Sequence, residues 1–308
     1  MAHVSVIIPA YNCRLTLPET LQSVFDQDVA AEVIIVNDGS TDGTAELVDS
    51  YHDRCTIIHT ENRGAALARQ TGLDASNGQY IQYLDADDLL LPGKIQEQVK
   101  ALKTQNADIA YGDWTRFTGD GAERKTGEVV TKTLPEPADI ALFTDFWWPP
   151  AALLFSRKIT CKISWNKNLP VIQDARYMLD AALAGARFVH TPQQVVLYRT
   201  AQSGSLSARS EKAFVHDCFV NAKELYTFWQ ADLQKDSARK NALIKVLRFV
   251  INRASVLNAR LAAEASALLT TIAPGYIPEE KGALQTLSKM FGYRRAEYIA
   301  GFKRRLRS

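Results

Sequence analysis

Asp85 and Asp87 stand two residues apart in Tyr-Leu-Asp-Ala-Asp-Asp (83–88), at the close of an apolar run. In an extended segment residues i and i+2 face the same way, so the two carboxylates can be presented together. Two hard oxygen donors beside an open cleft suit Mg2+ or Mn2+, ions that keep several waters and bind phosphates. The competing reading is local: Asp87 or Asp88 caps a following helix and complements its dipole. Asp38 ends a second apolar run, Val-Ile-Ile-Val-Asn-Asp (33–38), and precedes Gly-Ser-Thr-Asp-Gly (39–43). A carboxylate there accepts hydrogen bonds from a ribose or a base edge, or else belongs to a turn that caps the next helix. Asp174 precedes a helical pattern of Tyr177, Met178, Ala181 and Ala182, and is either a general base or a helix N-cap.

Smaller signals surround these acids. Pro9-Ala-Tyr-Asn12 offers the Tyr11 ring for stacking a base, or packs it on a rim. Arg63, beside Gly64, pairs with a phosphate, orients an acid or forms a surface salt bridge. Trp147-Trp148-Pro149-Pro150 is a rigid aromatic turn, suited to a sugar ring or to anchoring a core loop. Tyr198-Arg199 and Ser203–Ser207 form a phosphate clamp or a polar linker. The five histidines have no spacing that points to a metal or a hydrolytic triad, and His190, inside a β run, reads as structural.

The elements that must position these residues recur. Between Val4 and Asp88 the chain repeats an apolar β run, a polar break and a helical pattern four times. That alternation predicts an α/β fold with a mostly parallel sheet and right-handed crossovers. Ligands of such sheets collect at the carboxyl ends of the strands, where Asp38, Arg63, Asp85 and Asp87 all fall. Thr16-Leu-Pro-Glu19 has the form of a capping box opening a helix through Leu17, Leu21, Val24 and Phe25. Gly64–Gly72 is a small-residue helix fit for close packing on a sheet, and Ile95, Val99 and Leu102 share one face of the next helix. Further strands are expected at 109–117 and 151–155, a turn-rich excursion at 119–127, a helix at 175–184, and a strand pair over 188–198 bent at Pro192. Beyond Ser210 the pattern is helical, with one interruption at Pro274–Pro278. The predicted domains are 1–207 and 208–308.

Composition narrows the classes. A chain of 308 residues, 46% hydrophobic, buries an ordinary core in one large domain or two small ones. A net charge of +2 makes no case for nucleic acid. The four scattered cysteines fit a reduced interior better than a disulfide framework or zinc site. The first strand begins at Val4, and Asp145 and Pro149-Pro150 break the most apolar stretch. A cytoplasmic protein, at most peripheral on a membrane, is therefore expected. No G-x-G-x-x-G follows the first strand and no G-x-x-x-x-G-K-[ST] is present, so a phosphate-bearing ligand needs a metal.

Taken in order, Val-Ser-Val-Ile-Ile-Pro-Ala-Tyr-Asn, Val-Asn-Asp-Gly-Ser-Thr-Asp-Gly-Thr, Asn-Arg-Gly and Tyr-Leu-Asp-Ala-Asp-Asp resemble the family 2 glycosyltransferases of GT-A fold. The resemblance is close over the first 95 residues or so and weaker to about Ser207. It implies a mixed, mostly parallel GT-A sheet and an inverting transfer from a nucleotide-sugar, most often UDP-linked, with Mg2+ or Mn2+. By position, Pro9, Tyr11, Asn12, Asp38 and Arg63 would line the nucleotide pocket. Asp85 would face the nucleotide or sugar, Asp87 would hold the metal, and Asp174 would be the base. Gln173 departs from the Glu usual before that base. Thr200-Ala201-Gln202 replaces the family's His after Tyr-Arg, leaving diphosphate contacts there to Arg199, Gln202 or Ser205. The processive Gln-x-x-Arg-Trp motif is missing, which favours single additions. The expected acceptor is a glycan or a lipid-linked sugar, with no nucleic-acid partner. The rivals are a sugar nucleotidyltransferase, whose glycine- and lysine-rich loop is not at 9–12, and a non-catalytic sugar-nucleotide binder. Between Lys289 and Arg307 lie seven basic residues against Glu297, interleaved with aromatics. That tail either sits on an anionic membrane or is a solvated helix over the core.

Overall fold

The computed structural model describes residues 3–200 and 210–306. They divide between residues 205 and 206 into two compact units. The boundary expected near Ser207, and the contacts expected from Gln202, Ser205 and Ser203–Ser207, lie outside the described residues.

The first unit is built on β1 (Val4–Ala10), β2 (Ala31–Asp38), β3 (Thr56–Thr60) and β4 (Tyr80–Tyr83), which run parallel in the order β3-β2-β1-β4. Every residue of β1 but Pro9 is fully buried, as an unbroken apolar run requires when both sheet faces are covered. The register pairs Ala10 with Asn37, Asp38 with Thr60 and Ile7 with Tyr83, so all four strands end on one edge. The helices between them are α1 (Leu17–Phe25), α2 (Thr44–Asp49) and α3 (Ala65–Ala75). α3 lies close on the sheet because its face is small: Ala68 packs on Ile34 and Val36, and a Cβ at Gly72 would stand 2.4 Å from Ile7 Cγ2.

The sheet then becomes mixed. β8 (Leu153–Ser156) runs antiparallel to β4 and to β6 (Ile109–Thr118). β9 (Phe188–Arg199) runs parallel to β6, and β5 (Leu89–Leu90) caps the far edge. The excursion at 119–127 is partly a strand, β7 (Lys125–Val130), folded back on β6. The expected strand pair over 188–198 is one strand. Its bend is a register shift, with Asp113 moving to Gln194, and Pro192 is exposed there. Flanking helices are α4 (Lys94–Gln105), α5 (Ala138–Thr144), α6 (Arg157–Thr160) and α7 (Gln173–Leu183). Ile95, Val99 and Leu102 are buried on α4, as their spacing predicts. His190 is structural: it bonds Asp113 at 2.8 Å and stacks on Tyr111.

The second unit is helical: α8 (Glu211–Trp229), α9 (Ser237–Leu257), α10 (Ala259–Ile272), α11 (Ala283–Phe291) and α12 (Tyr293–Arg305). Breaks beyond the one at 274–278 come from caps. The Asp236 carboxylate accepts from Arg239 N, Asn258 ends α9 and caps α10, and Gly292 turns between α11 and α12 at φ +79°. No helix among the described residues is long and apolar enough to cross a membrane.

Candidate active site

The polar breaks converge on the carboxyl edge of the parallel strands. At the end of β2, Asp38 is buried, and its carboxylate is a structural clasp. Oδ1 accepts from Thr60 Oγ1 at 3.1 Å and Arg63 N at 2.9 Å, and Oδ2 from Gly64 N at 2.8 Å. A carboxylate has about four lone-pair sites, so one remains for a ligand. Asn12 ties β1 to the same region: its Oδ1 accepts from Thr41 N at 2.7 Å, and its own N–H donates to Ser40 Oγ at 3.1 Å. Tyr11 is 47% exposed, leaving its ring free to stack, while Pro9 is half-buried. The Arg63 side chain is exposed beside the loop that its backbone anchors.

At the end of β4 the acidic loop 85–88 is held from three sides. Arg69, buried on α3, forms an ion pair with Asp85 and lies 4.8 Å from the Trp165 ring. Thr16 Oγ1 donates to Ala86 O at 2.8 Å. Arg199 donates from Nε to Asp87 O and from its backbone N–H to Asp88 Oδ1, each at 2.9 Å. Two expectations change here. Thr16 makes no side-chain cap, and Glu19 turns away to pair with Arg124 and Arg199, so the capping box is not formed. Nor do Asp87 and Asp88 cap a helix, since α4 begins only at Lys94 with Gly93 at its N-cap.

Arg199, expected to contact a phosphate, also bonds extensively within the protein. Its guanidinium is buried, sits 4.4 Å from the Phe117 ring centroid, and also bonds Gly119 O, Asp120 and Glu19. Four of its five guanidinium N–H donors go to protein partners, and through them it holds the acidic loop in place.

The carboxylates of this loop are held in opposition to water. Burial, and then the Asp85 charge, push the Asp87 carboxyl up to about 6. Burial and the same neighbouring charges push Asp88 well above the usual carboxylate range, and its Oδ2 is buried with no hydrogen-bond partner. Asp174, in the first turn of α7, joins the cluster from the other side. Burial raises its carboxyl, while Trp147 Nε1, donating to Oδ2 at 2.5 Å, and the Arg69 charge oppose the rise. The Tyr198 phenol is raised by burial and then by the charges of Asp88, Asp85, Asp174 and Asp87. Its ring meets Trp147 edge-on at 5.6 Å. Of the tryptophan pair, Trp148 is in the core and Trp147 faces the acids. Gln173 points away: its Nε2 donates to Pro170 O and its buried Oε1 has no partner.

Residues 5–163, just over half of the chain, match the profile of Glycosyl transferase family 2. The chain belongs to that family. It is 36% identical over 123 residues to TuaG of Bacillus subtilis, a glycosyltransferase whose name assigns it to teichuronic acid biosynthesis, covering 38% of this chain and 49% of TuaG. It is 36% identical over 117 residues to WfaP of Escherichia coli, named as a UDP-Glc:alpha-D-GlcNAc-diphosphoundecaprenol beta-1,3-glucosyltransferase, covering 37% of this chain and 47% of WfaP. The matches thus span about half the length of each relative. The structure of S. aureus TarS 1-349 in complex with UDP-GlcNAc superposes with a TM-score of 0.70 over 98% of this chain and 90% of that one. At 16% identity that likeness is one of fold, the GT-A arrangement of mixed sheet and flanking helices.

Sequence reasoning missed Arg69, the indole bond to Asp174 and the contact of Tyr198, named only with Arg199 as a phosphate clamp, with Trp147. Arg69 had a signal: it is the one cation in an otherwise small-residue helix, and a buried charge needs a partner. The other two depend on contacts between distant segments. For a divalent cation the donor set fits. Asp87 and the orphaned Asp88 Oδ2 form an under-compensated acidic pair of hard oxygens, while Asp85 already shares an oxygen with Arg69. Among the described residues no group of three His, Cys, Asp or Glu could hold a metal.

Proposed function

We propose that this protein transfers a sugar from a nucleotide-sugar, a UDP-sugar above all, to an acceptor hydroxyl with inversion at the anomeric carbon. The observation that carries the reading is that Trp147 bonds Asp174 and packs on Tyr198, whose neighbour Arg199 bonds Asp87 and Asp88. In this reading Asp174 is the base, and Asp85 and Asp87 are the acids that face a diphosphate. Support for the nucleotide comes from TarS, whose structure holds UDP-GlcNAc, and from the UDP-Glc in the name of WfaP.

Asp174 accepts the proton of the acceptor hydroxyl as that oxygen attacks the anomeric carbon. The bond from that carbon to the diphosphate breaks on the opposite face, and the nucleoside diphosphate leaves with the bonding electrons. Burial raises the Asp174 carboxyl, which strengthens it as a base while the Trp147 N–H fixes its orientation. The uracil ring stacks on Tyr11 and donates its imide N–H to the free site on Asp38, with Pro9, Asn12 and Arg63 shaping the rim. Bound by Asp87 with Asp85 or Asp88, Mg2+ or Mn2+ would supply Lewis-acid compensation for charge on the diphosphate. The acceptor is a growing glycan or a lipid-linked saccharide, in cell-surface polysaccharide or glycoconjugate synthesis.

The test is UDP release from a panel of UDP-sugars with Mn2+, in the wild type, Asp87→Ala and Asp174→Asn. Slow metal-dependent release, lost in both variants, supports the transferase and names its donor. Tight donor binding without any release, with or without acceptors, would leave a non-catalytic sugar-nucleotide binder.

A further inference from the structure

α12 is fixed to its unit along one face. Tyr293 packs edge-on with Tyr276 at 5.0 Å, Ala296 and Gly301 are buried, Glu297 pairs with Arg304, and Arg304 Nε donates to Ser255 Oγ on α9 at 2.7 Å. The opposite face is unusual for a surface helix. Tyr298, Ile299, Phe302 and Leu306 on it, with Met290 and Phe291 at the end of α11, are 47–74% exposed. At ~100° per residue the four α12 side chains fall in one sector about 100° wide. Arg294 and Lys303 lie on its two borders and Arg295 within it, with Lys289 exposed on α11. The only carboxylate of either helix, Glu297, is buried against Arg304. The apolar groups of these two helices are thus accompanied by cations, and neither helix carries an exposed acid.

We infer that the outer face of α11 and α12 docks on an anionic lipid bilayer. The charge pattern decides between occupants. A second copy of this face would set cations against cations, whereas lipid phosphates meet them and acyl chains accept the rings. Lysine and arginine at the borders extend their aliphatic stems along the apolar sector and hold their charges at headgroup level. The anchored inner face keeps the outer residues on one side, so the apolar sector and cations meet the surface together. This inference does not depend on the chemistry proposed for the first unit.

The experiment is co-sedimentation of the 308-residue chain with vesicles of phosphatidylcholine alone or with 30% phosphatidylglycerol. Strong partition to the anionic vesicles is expected, with little to the neutral ones. Partition falls roughly fivefold for each cation removed in Arg294→Gln and Lys303→Gln. It falls at least about tenfold in Ile299→Ser/Phe302→Ser, whose exposed side chains leave Tm nearly unchanged. No preference for anionic vesicles, or unchanged partition in the serine pair, overturns the inference. So does a wild type that self-associates and becomes monomeric in the serine pair without either binding vesicles.

Discussion

Two strand ends of one sheet hold buried carboxylates, and they are treated in opposite ways. Asp38, at the end of β2, has three donors on its oxygens, two of them backbone N–H groups of the β3–α3 loop. Asp87 and Asp88, at the end of β4, crowd each other and Asp85, and Asp88 keeps an oxygen with no partner. Burial does not separate Asp38 from Asp88, which are both nearly inaccessible, and Asp87 is half-buried. The first carboxylate is satisfied by the fold and builds it. The second pair is left under-compensated, which costs stability unless something else supplies positive charge. An acid the fold itself completes is structural first, and an acid it leaves incomplete is a candidate for binding.

Substitutions at the β4 end should therefore harm turnover and spare the fold. Asp87→Ala should lower kcat by about 10³-fold or more, around 4 kcal/mol of barrier. Asp87→Asn should abolish activity equally yet make the cation-free protein more stable by about 1–3 kcal/mol at pH 7.5. With its carboxyl raised to about 6, folded Asp87 holds its proton more tightly than the unfolded chain does. Wild-type stability is thus lost relative to the Asn variant as pH rises toward about 6, and the gap in Tm should open over that window. Mn2+ should close it by stabilising the wild type alone. An Asn variant no more stable than wild type at pH 7.5 would break the contrast.

Asp174→Asn should reduce kcat by about 10²–10⁴-fold with little change in donor affinity, read from single-turnover rates and donor titration. At the β2 end the ranking reverses. Asp38→Ala leaves two N–H groups and a hydroxyl without their acceptor, and should cost about 2–4 kcal/mol. For a chain of this size that is a fall of roughly 3–6 °C in Tm, measurable by thermal melting. If Asp38→Ala melts like the wild type, Asp38 is no clasp, and the division between the two ends fails.

What the sequence made legible follows the same line. The parallel half of the sheet was readable because β1 and β2 are continuous apolar runs, and the acids sit where such strands must end. Asp85, Asp87 and Asp174 were named from position, but the state of each was not. It depends on Arg69 reaching Asp85, on Trp147 reaching Asp174, and on Arg199 arriving from a strand more than a hundred residues away. Arg199 was read as a phosphate ligand from its place beside the cleft, and its bonds to Asp87 O, Gly119 O, Asp120 and Glu19 could not be read from the sequence. The capping box failed similarly: Thr16 and Glu19 found partners in the acidic loop and its supporting arginines, which outcompeted the local bonds. Lys94 gave no hint of its place, buried on α4 and bonded to Gln82 and to Leu153 O.

The smallest effect tests how far a satisfied acid differs from an unsatisfied one within a single residue. Asp174 lies between the two cases: half-buried where Asp88 is fully buried, and given a donor by Trp147 at 2.5 Å. That indole bond favours the ionised carboxylate, whereas burial favours the neutral acid. Trp147→Phe keeps the ring and removes the N–H, so the carboxyl should rise further and be less firmly oriented. A base works only when deprotonated, so kcat/KM falls as pH drops through the free enzyme's value for that group. The acidic limb of the wild-type profile should lie above the usual aspartate value of ~3.9, and in Trp147→Phe it should move to higher pH. At the alkaline plateau the variant should retain most of its rate, within about tenfold. An unshifted limb with a uniformly lowered plateau would mean that Trp147 only shapes the acceptor pocket. A shifted limb with a preserved plateau would show that one donor from the aromatic turn sets when Asp174 can take a proton.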